Sequence, residues 1–227
     1  MDSRNILRFL TELAENNHKT WFDANRSWYL DVKADFFDFT TRLIERVAAF
    51  DPRCEGLKVS DCTYRINRDI RFSNDKRPYK THFGAFVCPE GKKSGFGGYY
   101  FHIEPAGQDY LNTHLLAIGA YCPDKEELQS IREEIYDNTA DFKRNLAKAK
   151  GFDLSINEKL KKAPAGFPAD FADIDLLKYK AYCISKPLSE KLLFSDNLLD
   201  EVCRQFKTGY EFNEQLNRAI EYAHQMR

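Results

Sequence analysis

The chain has 227 residues, of which 43% are hydrophobic, and its formal net charge at pH 7 is −1. A chain of this size and composition can bury a substantial apolar core, which excludes an intrinsically disordered protein. The near-neutral charge argues against a general nucleic-acid binder, because nonspecific binding to phosphates requires many basic contacts.

The cysteines and the apolar runs indicate where the protein resides. Its six cysteines contain no C-x-x-C pair, which predicts reduced thiols in a cytoplasmic protein. The first residues show no apolar signal region, and no apolar run approaches the roughly 18 residues of a membrane-spanning helix. We therefore expect no membrane partner. No cofactor is expected either, because no nucleotide-binding glycine motif occurs. The oligomeric state stays open.

The chain begins with two predicted helices. Apolar residues between positions 6 and 13 recur at spacings of three and four, after a candidate N-cap at Ser3. A second apolar stripe over residues 21–50 predicts a long helix that starts at Thr20 and ends before Pro52. Its aromatic residues would support a sheet.

From residue 58 the apolar residues alternate with polar ones, as is typical of strands. Proline and glycine clusters separate the alternating segments, and the short connections favour an antiparallel meander. Candidate strands lie at 58–60, 64–72, 80–88, 98–104 and 109–121.

The last hundred residues are predicted to be mainly helical, with one further strand at 179–185. Helices are expected at 124–151, 170–177, 189–207 and 210–225. This order predicts an α+β fold, in which an antiparallel β-meander packs against the long N-terminal helix and the C-terminal helices. We expect a single domain over 1–227, made of a helical part (1–52), a sheet (58–121) and a mainly helical part (123–227).

The segment from Tyr64 to Phe83 is unusually basic, with six Lys or Arg residues against two Asp residues. Guanidinium groups bind carboxylates and phosphates through paired hydrogen bonds, so this segment predicts an anion site. The predicted ligand-binding residues are Arg65, Asn67, Arg68, Arg71, Lys76, Tyr79, Lys80 and Tyr100.

If residues 64–72 form one strand, its side chains alternate between the two faces of the sheet. Arg68 would then enter an apolar face, where it would require a carboxylate such as Glu104, a bulge or a bound anion. The opposite face would carry the polar residues Arg65, Asn67, Asp69 and Arg71.

Neighbouring strands carry matching polar residues, which suggests acid–base chemistry. If they align with the polar face of 64–72, His82 or His102 would carry a proton and Asp69 or Glu104 would orient it. The alternative is that these side chains are only hydrogen-bonded parts of the sheet. We expect no metal site, because no local ligand spacing supports one and the nearby cations oppose it.

A positive helix start at Lys19 and Arg26 adds two further ligand-binding candidates. The N-terminus of a helix favours anions, although capping alone would explain the polar residues there.

These segments resemble the sequence of a known family. The matching strings are Phe9-Leu10, Asn16-Asn17, Trp21-Phe22, Asn25-Arg26, Arg65-Ile66-Asn67-Arg68-Asp69-Ile70-Arg71-Phe72-Ser73, Pro78-Tyr79-Lys80-Thr81-His82, His102-Ile103, Ala163-Pro164 and Gly166-Phe167. On them the chain resembles a bacterial and fungal family known as domain of unknown function 2461, or DUF2461. The resemblance implies a soluble, cytoplasmic, single-domain protein and no particular activity. At Phe171-Ala172 the chain departs from a His-Pro pair of the family, so a mechanism that relies on that histidine is in doubt here.

Three functional hypotheses follow from the sequence. In the first, the basic segment and the helix start form an aromatic-lined pocket for a small molecule that carries a phosphate or a carboxylate, with turnover left open. In the second, the same cations bind nucleic acid and the aromatic residues stack on its bases. In the third, Arg and Asp residues form a structural network without any ligand.

Overall fold

The computed structural model describes residues 1–107, 111–154 and 158–227, and in this part of the chain helices pack on a β-sheet. The helices are α1 (Ser3–Glu15), α2 (Lys19–Ala24), α3 (Arg26–Ala48), α4 (Val59–Cys62), α5 (Lys125–Asp137), α6 (Thr139–Lys148), α7 (Ile174–Leu177), α8 (Glu190–Leu193), α9 (Leu198–Thr208) and α10 (Tyr210–Gln225), with a 3₁₀ turn at Pro52–Cys54.

Across the described residues the sheet has four antiparallel strands in the order β1-β2-β3-β4. They are β1 (Phe83–Val87), β2 (Gly98–Ile103), β3 (Leu115–Ala120) and β4 (Tyr182–Pro187). The first three form the predicted meander, and β4 joins the sheet after α5, α6 and α7. The α+β class is therefore confirmed.

The two faces of the sheet differ in chemistry. Side chains alternate along β2, so Tyr99 and Phe101 lie on one face while Tyr100 and His102 lie on the other. On the first face the ring of Phe101 lies 4.9 Å from that of Phe39 in α3. This face holds the apolar core, and α9 and α10 also pack on it through β3. The second face carries the polar row.

The predicted long N-terminal helix is wrong in one respect, because α2 and α3 are separate helices that meet at Asn25. The Asn25 side chain donates a hydrogen bond to the Trp21 carbonyl at 2.9 Å and so competes with the helical ladder. His18 caps α2 in place of Thr20, because its Nδ1 accepts from the Trp21 N–H at 3.3 Å.

The N-cap predicted at Ser3 is also wrong. The Asp2 carboxylate accepts from the backbone N–H of Asn5 at 3.0 Å, so Asp2 caps α1 and Ser3 is the first helical residue.

The predicted strand at 64–72 is wrong. Residues 68–77 instead form a loop, which we call the charged loop. A bridge between Asn67 and Tyr79 closes this loop at its base. Asp69 and Asp75 each accept a hydrogen bond from the backbone N–H two residues ahead, at 3.3 Å and 3.0 Å. Such local turns replace the extended backbone that a strand requires.

The remaining predictions agree in type and differ in extent. Segments 80–88 and 98–104 contain β1 and β2, segment 179–185 overlaps β4 without reaching its end, and α10 matches 210–225. The strand at 58–60 is wrong, because these residues enter α4, where Asp61 accepts from the Lys58 N–H at 2.9 Å. The helices predicted at 124–151 and 189–207 are each divided in two, α7 covers only the end of 170–177, and β3 is shorter than 109–121, of which 109 and 110 lie outside the described residues.

Candidate functional site

A cleft of about 440 Å³ opens at the outer edge of β1. Helix α3 forms one wall, residues 60–67 form the other, and residues 80–84 complete it. Its volume lies in the range of small-molecule sites. Of the residues predicted from sequence, it brings together Arg65, Asn67, Lys80 and His82.

The described residues that line the cleft include cations and no carboxylate. The ammonium group of Lys33 lies 5.0 Å from the ring centre of Phe37, and that of Lys80 lies 5.5 Å from the ring centre of Tyr64. Lys80 also donates to the Arg65 carbonyl at 3.0 Å. Among the described residues, neither Lys33, Arg65 nor Lys80 forms an ion pair. Burial lowers the pKa of Lys80, and the nearby charge of Arg65 lowers it further.

His82 lines the cleft as an uncharged ring. Burial lowers its pKa to about 3, and the neighbouring His102 contributes to the shift. The ring centres of His82 and His102 are 5.0 Å apart. His82 therefore connects the cleft to a buried polar group on the second face of the sheet.

The buried polar group is a hydrogen-bonded row along β2. The Tyr100 hydroxyl lies 2.9 Å from His102 Nδ1, and His102 Nε2 lies 3.1 Å from Glu104 Oε2. The side chains of His102 and Glu104 are fully buried, at 0% exposure each. Because these residues are two apart on a strand, alternation places all three on one face, as predicted.

Glu104 is held by the loop that follows β2. Its Oε2 accepts from the backbone N–H groups of Leu111 and Asn112 at 2.9 Å and 3.1 Å. Burial alone would raise the pKa of Glu104, but the hydrogen bonds from His102 and Leu111 outweigh it and lower the pKa. Glu104 is therefore a carboxylate at neutral pH. Its Oε1 has no hydrogen-bond partner among the described residues.

His114 lies behind this row and is fixed by it. The Glu104 backbone N–H donates to His114 Nδ1 at 3.3 Å, and burial lowers the pKa of His114. These contacts make His114 a structural acceptor.

The cations of the charged loop lie outside the cleft, and their side chains bind carboxylates or backbone carbonyls within the loop. Arg68 contacts Asp75 at 2.5 Å rather than Glu104, the partner that the sequence suggested. Arg71 forms a 2.6 Å ion pair with Asp69, so Asp69 orients an arginine and no histidine. Lys76 donates to a backbone carbonyl at 3.1 Å.

Tyr79 is part of the core, with 6% of its surface exposed. Its ring stacks on that of Phe22 at 4.0 Å. Asn17 holds its backbone from both sides, since Oδ1 accepts from the Tyr79 N–H at 3.0 Å and Nδ2 donates to the Tyr79 carbonyl at 2.9 Å. Tyr79 thus anchors the base of the charged loop and does not line the cleft.

The two candidates at the helix start also lie outside the cleft. Lys19 is exposed and pairs with Asp23 at 2.5 Å, and Arg26 is exposed at the first residue of α3.

Sequence reasoning missed the contribution of α3 to the site. Tyr29, Lys33 and Phe37 all line the cleft and are spaced by four residues. This spacing places side chains on one face of a helix, so the signal was present in the sequence. Nothing local indicated that this face would meet Arg65.

The described ranges hold neither a metal-binding cluster nor a membrane-spanning helix. No group of three His, Cys, Asp or Glu side chains there is arranged to hold a metal ion. No helix there is long and apolar enough to cross a bilayer.

Comparison with known proteins places the chain among relatives without an assigned activity. The model of a family described as conserved hypothetical proteins, DUF2461, matches residues 5–214 of the chain. No curated protein and no solved structure matches it.

Proposed function

Since the chain belongs to the DUF2461 family, whose description assigns no activity, we propose a function from the cleft itself: it binds a small molecule that carries a phosphate or a carboxylate. The observation that carries this proposal is the set of three cations, Lys33, Arg65 and Lys80, around a cleft whose lining, as far as the structure describes it, holds no carboxylate. Like charges held together without a counterion raise the free energy of the empty site, and an anion removes that cost.

The cleft offers both charge and shape for such a ligand. Arg65 supplies a planar donor group for paired hydrogen bonds, and Lys80, in its half-buried position, supplies a charge that solvent screens weakly. The rings of Tyr64 and Phe37 provide apolar contact for the remainder of the ligand. His82, being uncharged, serves as a hydrogen-bond partner.

The proposal is tested by titration calorimetry with inorganic phosphate and phenyl phosphate. Lys80→Met should weaken binding about tenfold or more, as expected for the loss of one charge-assisted hydrogen bond. Lys76→Met removes the same charge from the charged loop and is the matched control, with affinity unchanged. Equal affinity in the wild type and Lys80→Met, or no binding to the wild type at all, would contradict the proposal.

A nucleic-acid-binding module is the second candidate, and one observation favours it. Phe72 at the tip of the charged loop is 95% exposed, and the Arg71 guanidinium lies 5.8 Å from its ring centre. Exposed aromatic rings beside cations stack on unpaired bases. Loss of oligonucleotide binding at about 50 mM salt in Phe72→Ser would support this candidate. An oligonucleotide that does not bind the wild type would remove it.

We also propose that the protein functions in the cytoplasm. All six cysteines are free thiols, and all but Cys122 are buried. Such thiols persist in a reducing compartment.

A further inference from the structure

We propose that Glu104, His102 and Tyr100 form a proton relay that makes the Tyr100 hydroxyl a reactive acid–base group. This inference goes beyond ligand binding in the cleft and does not depend on it. It rests on the direction of the hydrogen bonds, on the burial of the relay and on the position of the Tyr100 hydroxyl.

The carboxylate fixes the direction of the hydrogen bonds. An ionised Glu104 can only accept, and its Oε2 already receives two backbone N–H groups as well as His102 Nε2. His102 Nε2 must therefore carry a hydrogen. The proposal takes the His102 ring with its single hydrogen on Nε2, which leaves Nδ1 as an acceptor 2.9 Å from the Tyr100 hydroxyl. Tyr100 is thus the donor in this contact.

Burial makes Tyr100 the accessible end of the relay. His102 and Glu104 are completely buried, whereas Tyr100 is partly exposed. Of the three relay members, Tyr100 is therefore the one through which a reagent would reach the relay. The low polarity around His102 and Glu104 also strengthens their electrostatic interaction.

Gly84 allows the Tyr100 hydroxyl to lie against β1. A Cβ atom at residue 84 would be 2.5 Å from the Tyr100 hydroxyl oxygen, so any larger residue would displace the ring. Gly84 also lines the cleft. The phenol oxygen thus lies against a residue that also lines the cleft.

The proposed step is a simple proton transfer. The Tyr100 hydroxyl gives its proton to His102 Nδ1, and the Glu104 carboxylate stabilises the resulting imidazolium through Nε2–H. The phenolate oxygen can then attack an electrophile. With a sulfonyl fluoride the oxygen–sulfur bond forms, the sulfur–fluorine bond breaks, fluoride leaves, and His102 returns its proton to solvent.

Other charged groups near the relay influence its pH dependence. The groups that act on His82 and His114 beside the relay are Lys80, Arg68 and Glu190, in addition to the relay members themselves. His82 is neutral above mildly acidic pH, so it places no charge against His102 at neutral pH.

The test is labelling of the wild-type protein with an aryl sulfonyl fluoride at about pH 7.5, far below the pKa of about 10 of an ordinary tyrosine. Peptide mass spectrometry compares Tyr100 with two internal references, Tyr121 and Tyr222, which are 65% and 56% exposed. Tyr100 should react about a hundredfold faster, the usual gain from a positioned base. Labelling of Tyr100 no faster than of Tyr121 would overturn the proposal.

Two variants assign the effect to the relay. His102→Gln removes the base, and Gly84→Ala displaces the Tyr100 ring while leaving His102 and Glu104 in place. Both should reduce labelling of Tyr100 to the rate of Tyr121, whereas unchanged labelling in a folded variant would refute the relay. The wild-type comparison needs no variant, so the test stands even if His102→Gln fails to fold.

Discussion

Most cations of the cleft and of the charged loop come from the same twenty-residue segment. The two regions differ in whether these cations are paired with carboxylates. In the charged loop Arg68 and Arg77 share Asp75, and Arg71 binds Asp69. In the cleft no carboxylate of residues 1–107, 111–154 or 158–227 pairs with the cations of the lining. The number of basic residues in a segment therefore says little about its ability to bind an anion.

What separates the two regions is the distance along the chain to the nearest acid. Asp69 precedes Arg71 by two residues and Asp75 precedes Arg77 by two, so local turns pair them before any ligand can. Arg65 and Lys80 flank the loop and have no such neighbour. The comparison suggests four experiments, from the largest expected effect to the smallest.

Removal of the Tyr79 ring should have the largest effect. Tyr79→Ala leaves a cavity against Phe22 and should lower the free energy of unfolding by about 3–5 kcal/mol. Tyr64→Ala is the matched control, because Tyr64 is 45% exposed and its loss should change stability by about 0.5 kcal/mol or less. Urea denaturation measures both. Similar losses in the two variants would show that Tyr64 also belongs to the core.

Acid should lower the stability of the protein through His82 in the cleft before it affects the charged loop. His82 has a pKa of about 3 in the folded protein, lowered by burial and by His102, whereas an unfolded histidine has a pKa of about 6.5. The unfolded chain therefore binds more protons, and the stability contributed above pH 6.5 is lost as the pH falls towards 3. A fall from about pH 7 to about pH 5 should therefore lower the free energy of unfolding by about 2 kcal/mol through His82.

His82→Gln is the variant that isolates this effect. Its urea-denaturation midpoint should fall less over the same pH range than that of the wild type. Parallel curves would show that His82 does not titrate differently in the folded state. The charged loop should persist to stronger acid, because hydrogen bonds from Arg77 hold the pKa of Asp75 far below its usual range.

Loss of the shared carboxylate should loosen the charged loop alone. Asp75→Asn keeps the side-chain shape but removes the charge that binds Arg68 and Arg77. The Arg68 N–H, which donates to the Pro78 carbonyl, should then exchange with deuterium faster. Amides of β2 serve as the internal control and should exchange as in the wild type. Faster exchange throughout the sheet would mean that the loop supports the whole fold.

Arg71→Ala should have the smallest effect. Arg71 is 75% exposed in its pair with Asp69, and exposed pairs contribute little to stability. Differential scanning calorimetry should show an unchanged Tm, and the affinity for phosphate should also be unchanged. Unfolding of this variant would favour the hypothesis that the basic segment is purely architectural.

Hydrophobic periodicity was sufficient to predict the framework of the fold. The alternation at 98–104 predicted β2 and placed Tyr100, His102 and Glu104 on one face, because side-chain direction in a strand follows directly from position. The same rule failed at 64–72. There Asp side chains form turns with the backbone, a local interaction that the alternation of apolar and polar residues does not reveal.

Long-range packing explains the rest of what the sequence did not reveal. Lys33 joins Arg65 only because α3 lies beside residues 60–67, and the partner of Arg68 is Asp75 only because the loop closes at Asn67 and Tyr79. A helix face or a charge can be read from spacing, but the surface that it meets depends on the complete fold.

Asn17 imposes a narrow constraint on how this sequence can change. Its side-chain amide accepts from and donates to the backbone of Tyr79, as a peptide unit of an adjacent strand would. Aspartate lacks the donor, leucine lacks both groups, and glutamine is one carbon longer. Homologues that keep this contact between the N-terminal helices and the base of the loop should therefore retain asparagine here.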